Sequence, residues 1–179
     1  MRIAVTGTHR AGKSTLIEAL ADRLEPYRCV DEPYHLLEED GYEFASPPCL
    51  EDFIEQLRRS MELLEEGKQE PNVLFDRCPL DFLGYLLTHE EADAFELEEW
   101  LPRVRSSIQA LDLLVFVPIE EPDRIKVPRH EEPVMRKQVD EKLAWILLDD
   151  PFELGLEVLA VEGRTEARAS QVLGRLSRR

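Results

Sequence analysis

Residues 3–15 read Ile-Ala-Val-Thr-Gly-Thr-His-Arg-Ala-Gly-Lys-Ser-Thr, and the reading of this stretch decides the fold. Ile3-Ala4-Val5 predicts a short apolar strand, and Leu16, Ile17, Leu20 and Leu24 recur behind it at helical spacing. Between them stands Gly7-x-x-x-x-Gly12-Lys13-Ser14, a phosphate-binding loop in its required setting of strand, loop and helix. Gly7 and Gly12 permit backbone angles that a Cβ resists, so successive N–H groups can turn inward around an anion. The helix N-terminus adds further donors and positive dipole at the same spot. Lys13 offers a mobile charge to the β- and γ-phosphates, and the Ser14 hydroxyl is a ligand for Mg²⁺. Thr8, His9, Arg10 and Ala11 complete the loop and Thr15 follows it. The sequence leaves open whether His9 and Arg10 face solvent or the nucleotide.

Working outward, the 179 residues suit one domain, 1–179, with a full hydrophobic core. Hydrophobic residues at 43% and charged residues at 34% describe a globular chain rather than a disordered one. The net charge of −16 argues against a general nucleic-acid binder or a partner for anionic membranes. ATP remains compatible, because the loop and its Mg²⁺ make a local positive site. Cys29, Cys49 and Cys78 are scattered and lack metal-ligand spacing, which predicts reduced thiols in a cytoplasmic protein. No leader pattern precedes the first strand, and no apolar run has membrane-spanning length.

Further strands are predicted at 28–31, 73–76, 113–117 and 157–161. Helices are predicted from the loop to about Leu24, over 51–66, from Leu80 to Leu87, at 90–110, over 138–148 and over 165–176. Residues 34–50 read as irregular, broken by Gly41, Pro47 and Pro48. Residues 34–70 are expected on the substrate side and 119–137 as a lid. Short apolar strands alternating with helices predict an α/β fold, a parallel sheet with helices on both faces. Ligands in such a sheet sit beyond the strand carboxyl ends.

The strand ends carry the candidate chemistry. Asp76, after strand three, is suited to hold Mg²⁺ opposite Ser14, and Arg77 offers a rigid fork of donors to phosphate or a substrate hydroxyl. Glu32, after strand two, has the character of a general base, with Pro33 fixing the chain behind it. Asp31 is its alternative, since side chains alternate along a strand and one of the two faces the substrate. Arg124, Lys126 and Arg129 bring basic charge into an acidic chain and suit a loop closing over transferring phosphate. Arg136 and Lys137 belong either to that loop or to the following helix. Tyr34, Tyr42 and Phe44 offer walls for an aromatic slot.

With these residues placed, the chain resembles the P-loop nucleoside and nucleotide kinases, within a small AAA-like ATPase/kinase family that includes the ribosylnicotinamide kinase domain. Gly7 to Thr15 is similar to their Walker A segment, and Glu32-Pro33 to the Glu-Pro pair of deoxynucleoside kinases. Asp76-Arg77-Cys78-Pro79-Leu80-Asp81 resembles the Asp-Arg segment of thymidylate kinases, and Arg124 with Arg129 their arginine lid. The resemblance implies a three-layer P-loop fold, sheet order 2-3-1-4-5, and an adenine contact near Gly163-Arg164. It implies Glu32, Tyr34, Arg77 and Asp81 at the acceptor. Cys78 and Asp81 depart from the Tyr or Ser and the Ser of those kinases, and Val117-Pro118 lacks an acid, so the Walker B duty falls on Asp76.

The expected activity is ATP-dependent phosphoryl transfer to a small nucleoside- or nucleotide-like acceptor, by a monomer or homodimer. The alternative is a nucleotide-switched regulatory ATPase with no small acceptor. GTP is disfavoured for lack of an Asn/Thr-Lys-x-Asp segment.

Overall fold

A computed structural model describes residues 1–123 and 133–178. Five parallel strands, β1 (Arg2–Thr6), β2 (Arg28–Val30), β3 (Val73–Asp76), β4 (Leu113–Phe116) and β5 (Val158–Ala160), form one sheet in the order 2-3-1-4-5. The order and the parallel sense are those expected from the sequence. Apart from Arg2, Thr6 and Asp76 at their ends, the central strands β1, β3 and β4 are apolar, because both faces are covered. Ala4, Phe75, Leu114 and Phe116 look into one core, while Ile3, Val5, Leu74, Leu113 and Val115 look into the other.

The helices are α1 (Lys13–Ala21), α2 (Pro33–Glu39), α3 (Leu50–Glu65), α4 (Pro79–Leu86), α5 (Leu97–Ile108), α6 (Pro133–Ala144) and α7 (Thr165–Leu176). α1 and α7 close the Ile3–Val115 face, through Leu16, Leu20, Ala169 and Val172. α3, α4, α5 and α6 close the other, through Leu57, Leu64, Leu83, Val104 and Leu143. α4 and α6 pack closely at Gly84, where a Cβ would stand 2.9 Å from Leu143 Cδ2 and 3.0 Å from its Cγ.

Two readings are corrected. Residues 34–39, within the 34–50 stretch expected to be irregular, belong to α2. Pro33 at the first helical position opens it, where its missing N–H costs nothing. Gly41, at φ +90°, closes it in a Schellman motif, with Gly41 N–H on Glu38 O and Tyr42 N–H on Leu37 O. Second, α6 begins at Pro133, five residues before the expected start. The apolar rhythm begins only at Val139 because the inward residue of the preceding turn is a charge, Arg136. A single π-helical turn, Trp145–Asp149, ends that segment.

The three cysteines are free thiols. Among the described residues no helix is long and apolar enough to cross a membrane.

Candidate active site

The register of β1 and β3 sets Asp76 beside Val5, at the mouth of the phosphate loop. Gly7 is required there for space: a Cβ would lie 2.6 Å from the Val117 carbonyl oxygen at the end of β4. Ser14 Oγ donates to Asp76 Oδ2 at 2.9 Å, while Asp76 Oδ1 is buried with no hydrogen-bond partner. Burial is the largest influence on this carboxyl and pushes its pKa up, against the pull of Lys13 and Arg77. A hydroxyl beside a carboxylate with an orphaned oxygen fits Mg²⁺, which takes its remaining ligands from water and phosphate. No cluster of three His, Cys, Asp or Glu suited to a metal exists among the described residues, so no all-protein cage is formed.

Lys13 is buried, and its ammonium donates to Thr8 O at 3.1 Å. Burial, and then the Arg77 charge, brings its pKa down to about 8. Ser14, Thr15 and Arg10 are exposed around it, and Ala11 is buried. Arg10 itself stands at φ +53°.

Arg77 joins the phosphate loop to the acceptor side. It stands at φ +76°, a conformation costing about 1–3 kcal/mol for a residue with a side chain. Three groups hold it there. Nε donates to Glu32 Oε1 at 2.7 Å, and Nη1 donates to Gly7 O at 2.9 Å and to Asp81 Oδ1 at 3.2 Å. Burial alone would raise the Glu32 carboxyl, but Arg77 and Lys13 outweigh it and hold its pKa below the ordinary value. Glu32 faces inward and Asp31 is exposed, which answers the choice that strand alternation left open.

Asp81, expected at the acceptor, has no exposed surface. Its oxygens accept from Gly7 N–H and Cys78 N–H, each at 2.9 Å, as well as from Arg77. It ties the start of α4 to the phosphate loop from behind.

A cavity of about 390 Å³ opens beside this pair, lined by His9, Glu32 and Arg77 with Tyr34, Phe44, Phe53, Gln56, Phe82 and Tyr85. Tyr34 stacks on Phe44 at 4.3 Å, and Phe53 on Tyr85 at 5.0 Å. The Tyr85 hydroxyl accepts from His9 N–H at 2.9 Å and lies 3.2 Å from His9 Nδ1. His9 therefore belongs to both the phosphate loop and the cavity. Of the three expected aromatics, Tyr34 and Phe44 line the cavity. Tyr42 instead donates to buried Asp52 at 3.1 Å, and its pKa is pushed up to about 12 by burial and by that carboxylate. Asp52 also accepts from Ala45 N–H at 3.2 Å and Cys49 N–H at 2.8 Å, so one carboxylate fixes the 42–49 segment to α3.

The profile of a family described as an AAA domain matches residues 2–168. The chain belongs to that family. No curated protein matches it. Among solved structures, deoxyadenosine kinase from M. mycoides with bound dATP superposes with a TM-score of 0.70 at 15% identity, over 99% of this chain and all of that one. Thymidylate kinase from Candida albicans gives 0.62 at 16% identity, over 99% and 91% of the two chains. NadR protein in complex with NR gives 0.66 at 18%, over 98% of this chain and 48% of that one. The likenesses show the fold, and the resemblance to P-loop nucleoside and nucleotide kinase-like proteins is borne out.

Within this AAA domain Lys13, Ser14, Glu32, Tyr34, Asp76 and Arg77 come together. Arg164 is set apart as the exposed N-cap residue of α7. Arg124, Arg129 and the rest of 124–132 within the expected lid lie outside the described residues, and Arg136 falls in α6 rather than in a loop. Sequence reading missed Phe53, Gln56, Phe82 and Tyr85, which look like ordinary core residues on α3 and α4. It named Arg136 only as a residue of the lid or of the following helix, and it missed Arg168; both arginines are buried. Arg136 precedes Val139 by three residues and Arg168 precedes Val172 by four, so each charge falls on the apolar stripe of its helix. That misplacement is the signal that identifies them.

Proposed function

We propose that this AAA domain is an ATP-Mg²⁺-dependent phosphotransferase acting on a small nucleoside- or nucleotide-like acceptor bound in the aromatic cavity. The observation that carries the reading is the Glu32–Arg77 pair, 2.7 Å apart, in the wall of a cavity that shares His9 with the phosphate loop. A hydroxyl in that cavity meets a carboxylate kept ionised by its partner, next to where the loop would hold the donor phosphates.

Backbone amides of residues 8–13 and the Lys13 ammonium bind the phosphate tail. Ser14 and Asp76 would hold Mg²⁺, which would supply positive charge against the donor phosphates. Glu32 orients the acceptor hydroxyl and receives its proton, and Arg77 fixes Glu32. Tyr34 and Phe44 pack against the acceptor's ring. Arg164 is assigned to the adenine, and Arg124 and Arg129, outside the described residues, are assigned to neutralising phosphate charge. Placement and charge neutralisation account for most of the rate in such a site.

The charge balance favours an acceptor that presents a hydroxyl rather than a phosphate. Among the described lining residues Arg77 is the one arginine or lysine, and it is committed to Glu32, Asp81 and Gly7 O. An acceptor phosphate there would face the Glu32 carboxylate with little compensation.

The test is a screen of nucleosides, nucleotides and nicotinamide riboside with ATP-Mg²⁺, reading acceptor-dependent ADP release. Turnover with a nucleoside supports the reading. ADP release indifferent to every acceptor overturns it in favour of a nucleotide-switched ATPase.

A further inference from the structure

The carbonyl oxygens of Gly7, Thr8, His9, Arg10 and Ala11 are each the acceptor for a cationic side chain. Arg77 serves Gly7 at 2.9 Å, and Lys13 serves Thr8 at 3.1 Å. Arg136, from α6, places Nε 3.1 Å from His9 O and Nη2 3.2 Å from Arg10 O. Arg168, from α7, places Nη1 2.9 Å from Ala11 O. α6 and α7 lie on opposite faces of the sheet, so the loop is gripped from both sides. Both guanidiniums are buried, and each has its own acid: Asp123 for Arg136, and Glu120 at 2.9 Å for Arg168. Glu120 Oε1 also accepts from Gly163 N–H at 2.7 Å, which links the grip to the loop after β5.

A peptide unit is planar, with its C=O and N–H on opposite sides. Fixing the carbonyls of His9, Arg10 and Ala11 therefore fixes the N–H groups of Arg10, Ala11 and Gly12 on the side away from the arginines. Those amides belong to the nest that cradles an anion, and a nest already turned to its binding geometry spends no reorganisation when phosphate arrives.

We propose that Arg136 and Arg168 are positioning residues that preset the phosphate nest by holding three successive carbonyls, and that polyphosphate affinity depends on them. The proposal rests on nucleotide binding at the loop, as above. It does not depend on which acceptor is used.

The experiment is calorimetric titration of the full chain with ATP-Mg²⁺, inorganic tripolyphosphate-Mg²⁺ and adenosine. For Arg136→Met and Arg168→Met, Kd for ATP and for tripolyphosphate is expected to rise about 10- to 100-fold, each variant losing charge-assisted bonds. Adenosine binding is expected to stay unchanged, which general damage to the fold would not allow. Arg136→Lys keeps the charge but not the planar fork, so it is expected to lose about as much as the Met variant. Asp123→Asn, which frees one side of Arg136, is expected to cost a few-fold and covers the case in which the Met variants do not fold. The proposal is overturned if Arg136→Lys and Asp123→Asn bind tripolyphosphate as wild type does, or if folded Met variants do. Absence of tripolyphosphate and ATP binding by wild type overturns it together with nucleotide binding. The kinase reading fails separately, when affinity depends on both arginines yet no acceptor yields ADP.

Discussion

The two halves of the site are held in different ways. On the phosphate side, neighbours in sequence form the loop, and Lys13 together with three arginines from distant elements pins their peptide units. On the acceptor side, aromatic side chains from α2, α3, α4 and the 42–49 segment meet around a cavity, with Asp52 anchoring the 42–49 segment. Backbone binding of phosphate is indifferent to what lies beyond it. Side-chain binding of an acceptor is where selectivity is set. Mutations should therefore separate the halves.

The largest separation is expected from Glu32→Gln. Turnover should fall by about 10²- to 10⁴-fold, the range for a lost general base, while ATP affinity is retained. Single-turnover ADP release beside ATP titration checks this, and equal loss of both would erase the distinction. Asp81→Ala should act on both halves through stability. It leaves Gly7 N–H and Cys78 N–H without their acceptor and takes from the buried Arg77 one of its two carboxylates, at about 3–5 kcal/mol by denaturant midpoint. Gly84→Ala touches neither half directly. Overpacking against Leu143 should cost about 1–3 kcal/mol, with ligand affinities preserved in the folded fraction.

Lys13 gives a pH signature confined to the phosphate side. Its folded pKa of about 8 lies below the unfolded value of 10.5, so between those two values the unfolded chain binds more protons than the folded one. This residue's contribution to ligand-free stability therefore rises with pH across that window, from a penalty at low pH. The thermal shift given by ATP should shrink over the same range, as the ammonium that meets phosphate is lost. A Lys13→Met variant should lack both dependences. The smallest expected effect is that of Tyr42→Phe, which removes one hydrogen bond to Asp52 for about 1 kcal/mol and should move acceptor KM without moving ATP KM.

The same contrast explains what could be read in advance. The phosphate loop and Asp76 were legible because local spacing encodes them directly, and the sheet order because those motifs resemble the P-loop kinases. Glu32 was legible as one of two acids, and only packing against Arg77 chose it over Asp31. Helix α2 was hidden because a seven-residue helix opening on proline and closing on glycine resembles a loop in composition. The roles of Phe53, Phe82 and Tyr85 were hidden because an aromatic side chain carries the same periodicity whether it lines a cavity or fills a core. The anchoring role of Asp81 was hidden because a carboxylate in the first turn of a helix serves a backbone amide as readily as a ligand.

Asp52 has a wider implication. Its two oxygens collect three donors from residues 42–49, so one side chain of α3 gathers the polar contacts along that short excursion. The excursion is thus a cassette: its inward-facing residues can be exchanged, and the guest molecule changed with them, while the sheet and the nucleotide cradle stay as they are.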